Sequence, residues 1–188
     1  IIIGAGAAGL MCAATAGYRG RDVLVLDNGK QAGRKILISG GGRCNFTNLK
    51  VEPGNFICAN PHFVKSALAR YSSQDFIELV ERHGIEYHQR EHGQLFCNDS
   101  AKEIVTMLLT ECEWADAQVQ LRTEILSITK QDDGLFILET SKGALSCESL
   151  VVATGGLSMP KLGASPFGYQ IAEQFGLKVL PTHAGLVP

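Results

Sequence analysis

The sequence predicts an α/β fold: a parallel sheet flanked by helices, with a β-meander added to it. Three observations carry this. The opening IIIGAGAAGL is an apolar strand followed by a glycine turn and the start of a helix. A second unbroken apolar run, Val23–Leu26, ends on Asp27. A series of short strands then leads into VVATGG at residues 151–156.

The elements follow in order. Ile1–Ile3 is the first strand and Gly9–Gly17 a helix whose small residues can face a sheet. Val23–Leu26 reads as a strand buried on both faces, because no polar residue interrupts it. Residues 28–60, rich in Gly and Asn, read mostly as loop. Helices are expected at His62–Tyr71 and Ser73–His83, the second closed by Gly84. Ile85–Arg90 and Gln94–Phe96 suit a strand pair. Asp99–Ser100 caps a helix running to Trp114, with Ser100 and Glu103 as a capping box. Its apolar face is expected at Ile104, Val105, Leu108, Leu109 and Cys112. Strands are expected at Val119–Leu121, Glu124–Lys130, Leu135–Thr140 and Ala144–Cys147, with turns at Asp133–Gly134 and Lys142–Gly143. Leu150–Thr154 reads as a buried strand and Phe167–Phe175 as a last helix before Gly176.

Composition bounds the function. A hydrophobic fraction of 45% in 188 residues supports a core, and a net charge of −2 excludes a broadly basic nucleic-acid coat. Six scattered cysteines form no CxxC pair, and no Cys/His spacing fits zinc. That usage suits a reduced, cytoplasmic protein, with no metal expected. Residues 1–17 carry no charge but lack a basic leader, so they read as strand and helix rather than a signal or membrane segment. The chain starts without Met inside a strand and stops at Val187–Pro188 after an apolar stretch, so it is expected to be part of a longer protein.

Gly4, Gly6 and Gly9 form GxGxxG. Gly4 permits the tight turn, Gly6 lets a pyrophosphate reach the backbone, and Gly9 lets the helix pack on the strand. The helix N-terminus then offers free N–H groups and a positive dipole. The acid expected at the end of the second strand is Asp27, placed to accept hydrogen bonds from ribose hydroxyls. The motif alone leaves NAD and FAD open; the ATGG segment after a meander is a habit of two-dinucleotide-binding flavoproteins.

GAGAAG, NGKQAGRKILISGGGRCNFTN, GQLFCNDSA and VVATGGLSMPKLGASPFGYQIAEQFG together resemble the YhiN/BaiN-like flavoproteins, often labelled an aminoacetone-oxidase family, over the whole of residues 1–188. The resemblance implies a glutathione-reductase-like FAD/NAD(P)-binding Rossmann-type domain. It implies that residues 1–188 are an incomplete FAD-binding domain containing a helical excursion at 46–98, without the inserted β-rich domain and C-terminal return of the family. It places Gly4, Gly6, Ala7, Ala8 and Gly9 at the pyrophosphate and Asp27 at the adenosine ribose, with Asn28 also among the cofactor-binding residues. Gly33, Arg34 and Lys35 would follow the phosphates, and Ile125 would meet the adenine through its backbone. Ser39, Gly40, Gly41, Gly42, Arg43, Cys44 and Asn45 would pass near the isoalloxazine, and Thr154, Gly155 and Gly156 would lie behind it. FCND at 96–99 departs from the FP-type sequence of many relatives.

The implied activity is that of an FAD-dependent oxidoreductase, an enzyme reducing a conjugated C=C bond with NAD(P)H. The substrate would be a steroid-type enone or a uracil ring in ribosomal RNA, giving dihydrouridine; no DNA or membrane partner is expected. A non-catalytic FAD- or nucleotide-binding module and an NAD-dependent dehydrogenase are the other readings. Arg43 is a candidate to stabilise charge on the reduced ring, and Cys44 is a candidate proton donor or a small buried side chain. His88 and His92 read as solvated surface rather than metal ligands. Met159–Pro160 and Gly163–Gly168 suit a wall of the flavin or substrate site.

Overall fold

The computed structural model describes residues 1–159 and 164–183. In chain order the elements are β1 (Ile2–Ile3), α1 (Ala7–Gly17), β2 (Leu24–Leu26), α2 (Arg34–Ile38), β3 (Asn45–Asn48), α3 (Lys65–Arg70), α4 (Ser73–Arg82) and β4 (Tyr87–Gln89). There follow β5 (Gln94–Cys97), α5 (Ala101–Trp114), β6 (Gln118–Gln120), β7 (Ile125–Lys130), β8 (Phe136–Thr140), β9 (Gly143–Cys147), β10 (Val151–Val152) and α6 (Phe167–Gln174). The chain divides into two compact units.

The first unit comprises Ile1–Ile36 and Leu108–Val179. It holds a parallel sheet of order β10-β1-β2-β6, with Ile2 opposite both Val25 and Val151, and Val25 opposite Val119. This is a Rossmann-type arrangement, and β7-β8-β9 form an antiparallel meander beside it in sequence. The first helix lays Gly9, Leu10, Ala13 and Ala14 inward, one stripe at helical spacing. Leu10, Val25 and Leu26 are wholly buried, each contributing about 1.5–3 kcal/mol from lost apolar surface. Ile3, Leu26, Ile128, Leu138 and Ile171 make one core, joining the parallel sheet, the meander and α6. Glu111 is a buried carboxylate; it accepts a 2.9 Å hydrogen bond from the Tyr18 hydroxyl.

The second unit comprises Leu37–Met107 with the described residues from Leu180. Its sheet is antiparallel, order β3-β5-β4. Ser72 caps α4: its hydroxyl accepts from the Asp75 N–H at 3.2 Å and its own N–H donates to the Asp75 carboxylate at 2.6 Å. Ile77, Leu79 and Val80 are the buried residues of that helix. Phe46 meets Phe76 and Tyr87 at ring separations of 6.1 and 5.4 Å.

Four expectations need correcting. Residues 28–60 are less irregular than expected, since they contain α2, a 3-10 turn at Ser39–Gly42, β3 and a 3-10 turn at Pro53–Asn55. Asn-rich NFTN carries no strand signal of its own; its pairing with β5 makes it one. The expected helix at His62–Tyr71 is only α3, with no buried residue to extend it. Leu150–Thr154 shrinks to the two residues of β10, an edge strand whose Val151 and Val152 are 38% and 40% exposed rather than buried on both faces. On α5, Met107 is buried while Leu109 is 36% exposed, because the inward stripe begins at Ala101 and turns with it. The Ser100–Glu103 contact is present, with the Ser100 N–H 3.3 Å from the Glu103 carboxylate.

Candidate dinucleotide site

Each glycine of GxGxxG meets a different constraint. A Cβ on Gly4, where φ is +111°, would overlap the Ala153 carbonyl, so this strand-to-helix turn abuts the ATGG segment. A Cβ on Gly9 would overlap the Gly4 carbonyl, which is the close helix–strand approach in direct form. A Cβ on Gly6 would meet nothing within 4 Å. Among these three, Gly6 is therefore the one whose bare backbone faces open space, as a phosphate cradle requires. Gly6 is also the N-cap of α1, without a side-chain cap and without an acid in the first turn. The free N–H groups and the dipole of that helix are left for an anion.

The turn opens on a cavity of about 940 Å³ in the first unit. Its lining brings together Gly4, Gly6, Ala7, Ala8, Asp27, Asn28, Gly33, Arg34, Lys35, Ile125, Thr154 and Gly155. Residues as far apart in sequence as Gly4 and Gly155 thus share one wall, and the volume and donor set fit a dinucleotide.

Asp27, expected from the sequence to meet a ribose, already has partners within the protein. Its carboxylate accepts from the Ala5 N–H at 2.8 Å and from the Gly29 N–H at 2.7 Å, and lies 3.6 Å from the Arg34 guanidinium. It thereby pins the glycine turn to the end of β2. A carboxylate offers about four acceptor positions, so capacity remains for a hydroxyl. Arg34 also donates to Asn28 at 3.4 Å. Lys35 crosses to the ATGG loop, donating to the Gly156 carbonyl at 3.3 Å and the Ser158 hydroxyl at 3.2 Å. Its ammonium is held there rather than standing free.

Sequence reasoning missed Gln31, Thr123 and Tyr169, which also line the cavity, whereas Ser165, Phe167 and Gly168 of the lining fall in the stretch expected to form a wall of the site. A signal existed at Gly168: a Cβ there would come 2.5 Å from the Thr154 hydroxyl, so the helix start is fitted to the ATGG threonine. Pro160–Gly163 lie outside the described residues.

Ser39–Asn45 belong to the second unit. Gly40, Gly41 and Gly42 are all left-handed, with φ of +57°, +67° and +85°, and Cys44 follows at +49°. That explains the triple glycine locally, since an L-residue there costs roughly 1–2 kcal/mol. Gly40 has a second reason: its Cβ would sit 2.7 Å from the Asn45 nitrogen and 2.7 Å from the Phe96 ring. Gly41 is open. Gly40→Val should therefore destabilise by about 2–5 kcal/mol against about 1–2 for Gly41→Val, read as denaturation midpoints. Equal midpoints would show that the loop yields at Gly40.

Cys44 and Cys97 are buried, and the Cys97 N–H donates to the Arg43 carbonyl at 2.9 Å. Burial pushes the Cys97 thiol up to about 12 and raises Cys44 too, a hydrogen bond with Ser39 partly offsetting the latter. Folding thus favours the neutral thiols. The contribution is complete below pH 9 and lost as pH rises towards 12, so the thermal midpoint should fall over that window. At neutral pH, alkylation should reach exposed Cys58 first and leave Cys44, Cys97 and Cys112 unmodified until unfolding.

His88 lies in β4 and its Nδ1 is 2.8 Å from the Asn98 side-chain oxygen; His92 sits in a turn at φ +58°. Among the described residues no group of three His, Cys, Asp or Glu could hold a metal, and no helix is long and apolar enough to cross a membrane.

Across residues 1–188 the chain matches the HI0933-like protein Rossmann domain. The chain belongs to this family. It is 64% identical over 188 residues to a protein of Escherichia coli K12 named ribosomal RNA dihydrouridine synthase, covering 100% of this chain and 47% of the relative. It is 25% identical over 191 residues to a 3-dehydro-bile acid delta(4,6)-reductase of Clostridium scindens, covering 99% of this chain and 46% of that one. The HI0933-like chain thus spans about half the length of the curated relatives it matches. Among solved structures, glycine oxidase from Geobacillus kaustophilus superposes with a TM-score of 0.60 at 16% identity, over 94% of this chain and 58% of that one. At that identity the likeness shows the fold.

Proposed function

We propose that the chain is the FAD-binding part of a flavin-dependent oxidoreductase that reduces a conjugated C=C bond with NAD(P)H, and that its substrate is a uracil ring in ribosomal RNA, converted to dihydrouridine. The observation that supports this most directly is the 64% identity, along the whole chain, to a protein named for that product.

Saturating the uracil double bond adds a hydride to one ring carbon and a proton to the other. Bound FAD would supply the hydride, having accepted it from NAD(P)H. The chain's own residues bind and orient. The N-terminus of α1 and the bare backbone of Gly6 hold the pyrophosphate, Asp27 takes the ribose hydroxyls, and Asn28, Gly33, Arg34 and Lys35 extend the phosphate wall. The backbone of Ile125 serves the adenine, and Thr154 and Gly155 of the lining, followed by Gly156, back the cofactor. Ser39–Asn45 serve the reacting end. There Arg43 stabilises negative charge and Cys44 holds a proton for the ring carbon. Burial raises the thiol above its ordinary value, so it is protonated at neutral pH.

The test uses full-length protein. Its visible spectrum is recorded, NADPH is added without air, and a ribosomal RNA transcript follows. Flavin absorbance should bleach with NADPH and return with RNA, and mass spectrometry should find one uridine heavier by two hydrogens. A colourless protein would favour the NAD-dependent dehydrogenase. Flavin that never turns over would favour the binding module. The bile-acid relative supports a second reading, a steroid-type enone; return of colour with an enone but not with RNA would select it.

A further inference from the structure

The segment from Leu49 to Tyr71 in the second unit is unusual in having no buried residue at all. It is not a polar surface loop. Phe56 is 42% exposed, Phe63 is 75% exposed and Ile57 is fully exposed. Interleaved with them are Lys50, Lys65 and Arg70, none of which makes an ion pair among the described residues.

Charge is as uneven as burial. Residues 37–74 carry four cations (Arg43, Lys50, Lys65, Arg70) against one acid, Glu52, a net of +3 within a chain of net −2. The remaining residues are therefore net −5. The excess of cations on that stretch favours a polyanion as its partner. Exposed aromatic rings interleaved with cations along the chain suit a ligand with exposed flat faces and a charged backbone, which is the chemistry of single-stranded nucleic acid. A covering protein surface would match the apolar side chains but not the excess of cations.

We propose that residues 49–71 are a docking surface for single-stranded RNA, with Phe56 and Phe63 stacking on unpaired bases and Lys50, Lys65 and Arg70 meeting phosphates. The inference rests on the reading of RNA as substrate and deepens it. An enzyme that reduces a uracil ring needs the base out of its stack, and a stacking platform beside the substrate strand lowers the cost of holding it there.

The experiment uses full-length, flavin-loaded protein and a fluorescein-labelled single-stranded RNA oligonucleotide of mixed sequence. Lys50→Gln/Lys65→Gln/Arg70→Gln should lower the slope of log affinity against log salt by about 2, as expected for three lost phosphate contacts. Phe63→Ala and Phe56→Ala should each weaken binding about tenfold. Flavin content and NADPH-driven flavin bleaching should not change, which also shows that the variants are folded. Variants that bind RNA with the wild-type affinity and salt slope overturn the proposal. So does side-chain footprinting that finds Phe56 and Phe63 already covered in RNA-free protein, because another part of the polypeptide is then the occupant. The two readings separate cleanly: wild-type protein that reduces RNA while the variants bind normally removes the docking surface alone, whereas wild-type protein that neither binds nor reduces RNA removes the substrate reading as well.

Discussion

Gly9→Ala is expected to unfold the site from its foundation. The added Cβ overlaps the Gly4 carbonyl, and neither side can move freely. The Gly4 N–H is tied to the Leu26 carbonyl at 2.7 Å, and Gly4 itself lies against Ala153. On the other side, Leu10 and Ala13 next to the helix start are wholly buried. Overpacking of this kind costs about 1–3 kcal/mol, and at about 2–4 °C per kcal/mol for a domain of this size the thermal midpoint should drop by roughly 5–10 °C. The N-terminus of α1 is displaced at the same time, so flavin retention should fall with it. A Gly9→Ala protein with unchanged midpoint and full flavin content would mean that helix and strand separate at no cost, and that the glycine turn does not set the site.

Asp27→Ala should have the second largest effect, through two losses. The Ala5 N–H, on a residue only 1% exposed, loses its acceptor; an orphaned buried donor costs about 1–3 kcal/mol. A ribose contact, being charge-assisted, is worth about 1.5–3 kcal/mol, or roughly ten- to 150-fold in FAD dissociation. Asp27→Asn separates the two. Its amide oxygen can still accept from one backbone N–H, restoring part of the midpoint, while the charge beside Arg34, which the proposed ribose contact would use, is gone. Stoichiometric FAD kept through dilution by both variants would leave Asp27 as a purely structural pin.

Much of this architecture is legible in local sequence. Strand, glycine turn, helix and acid lie within the first 27 residues, where periodicity, Gly spacing and one carboxylate all point the same way. The hairpins of the meander are marked by Asp133–Gly134 and by Gly143, which take φ of +91° and +112° at the two glycines. Helix α4 is legible because Ser72, Asp75 and Gly84 punctuate both its ends.

Other features depended on partners far away in sequence. NFTN becomes a strand because β5 pairs with it, and no propensity of Asn announces that. That β10 is an edge strand is decided by sheet order, since an apolar run looks the same at an edge and at a centre. The Lys35 ammonium is occupied by a loop 121 residues on, and the wall formed by α6 depends on Gly168 fitting Thr154. The triple glycine was legible as a backbone requirement, but its cause at Gly40, the Phe96 ring, lies more than 50 residues downstream. The sequence by itself determined which residues could turn, cap, carry charge or pack, because those are properties of single side chains and short spacings. Only the tertiary structure decided which Cβ atoms have room, which carboxylate oxygens are already taken and which apolar side chains stay in water, because each of these depends on atoms brought close by packing.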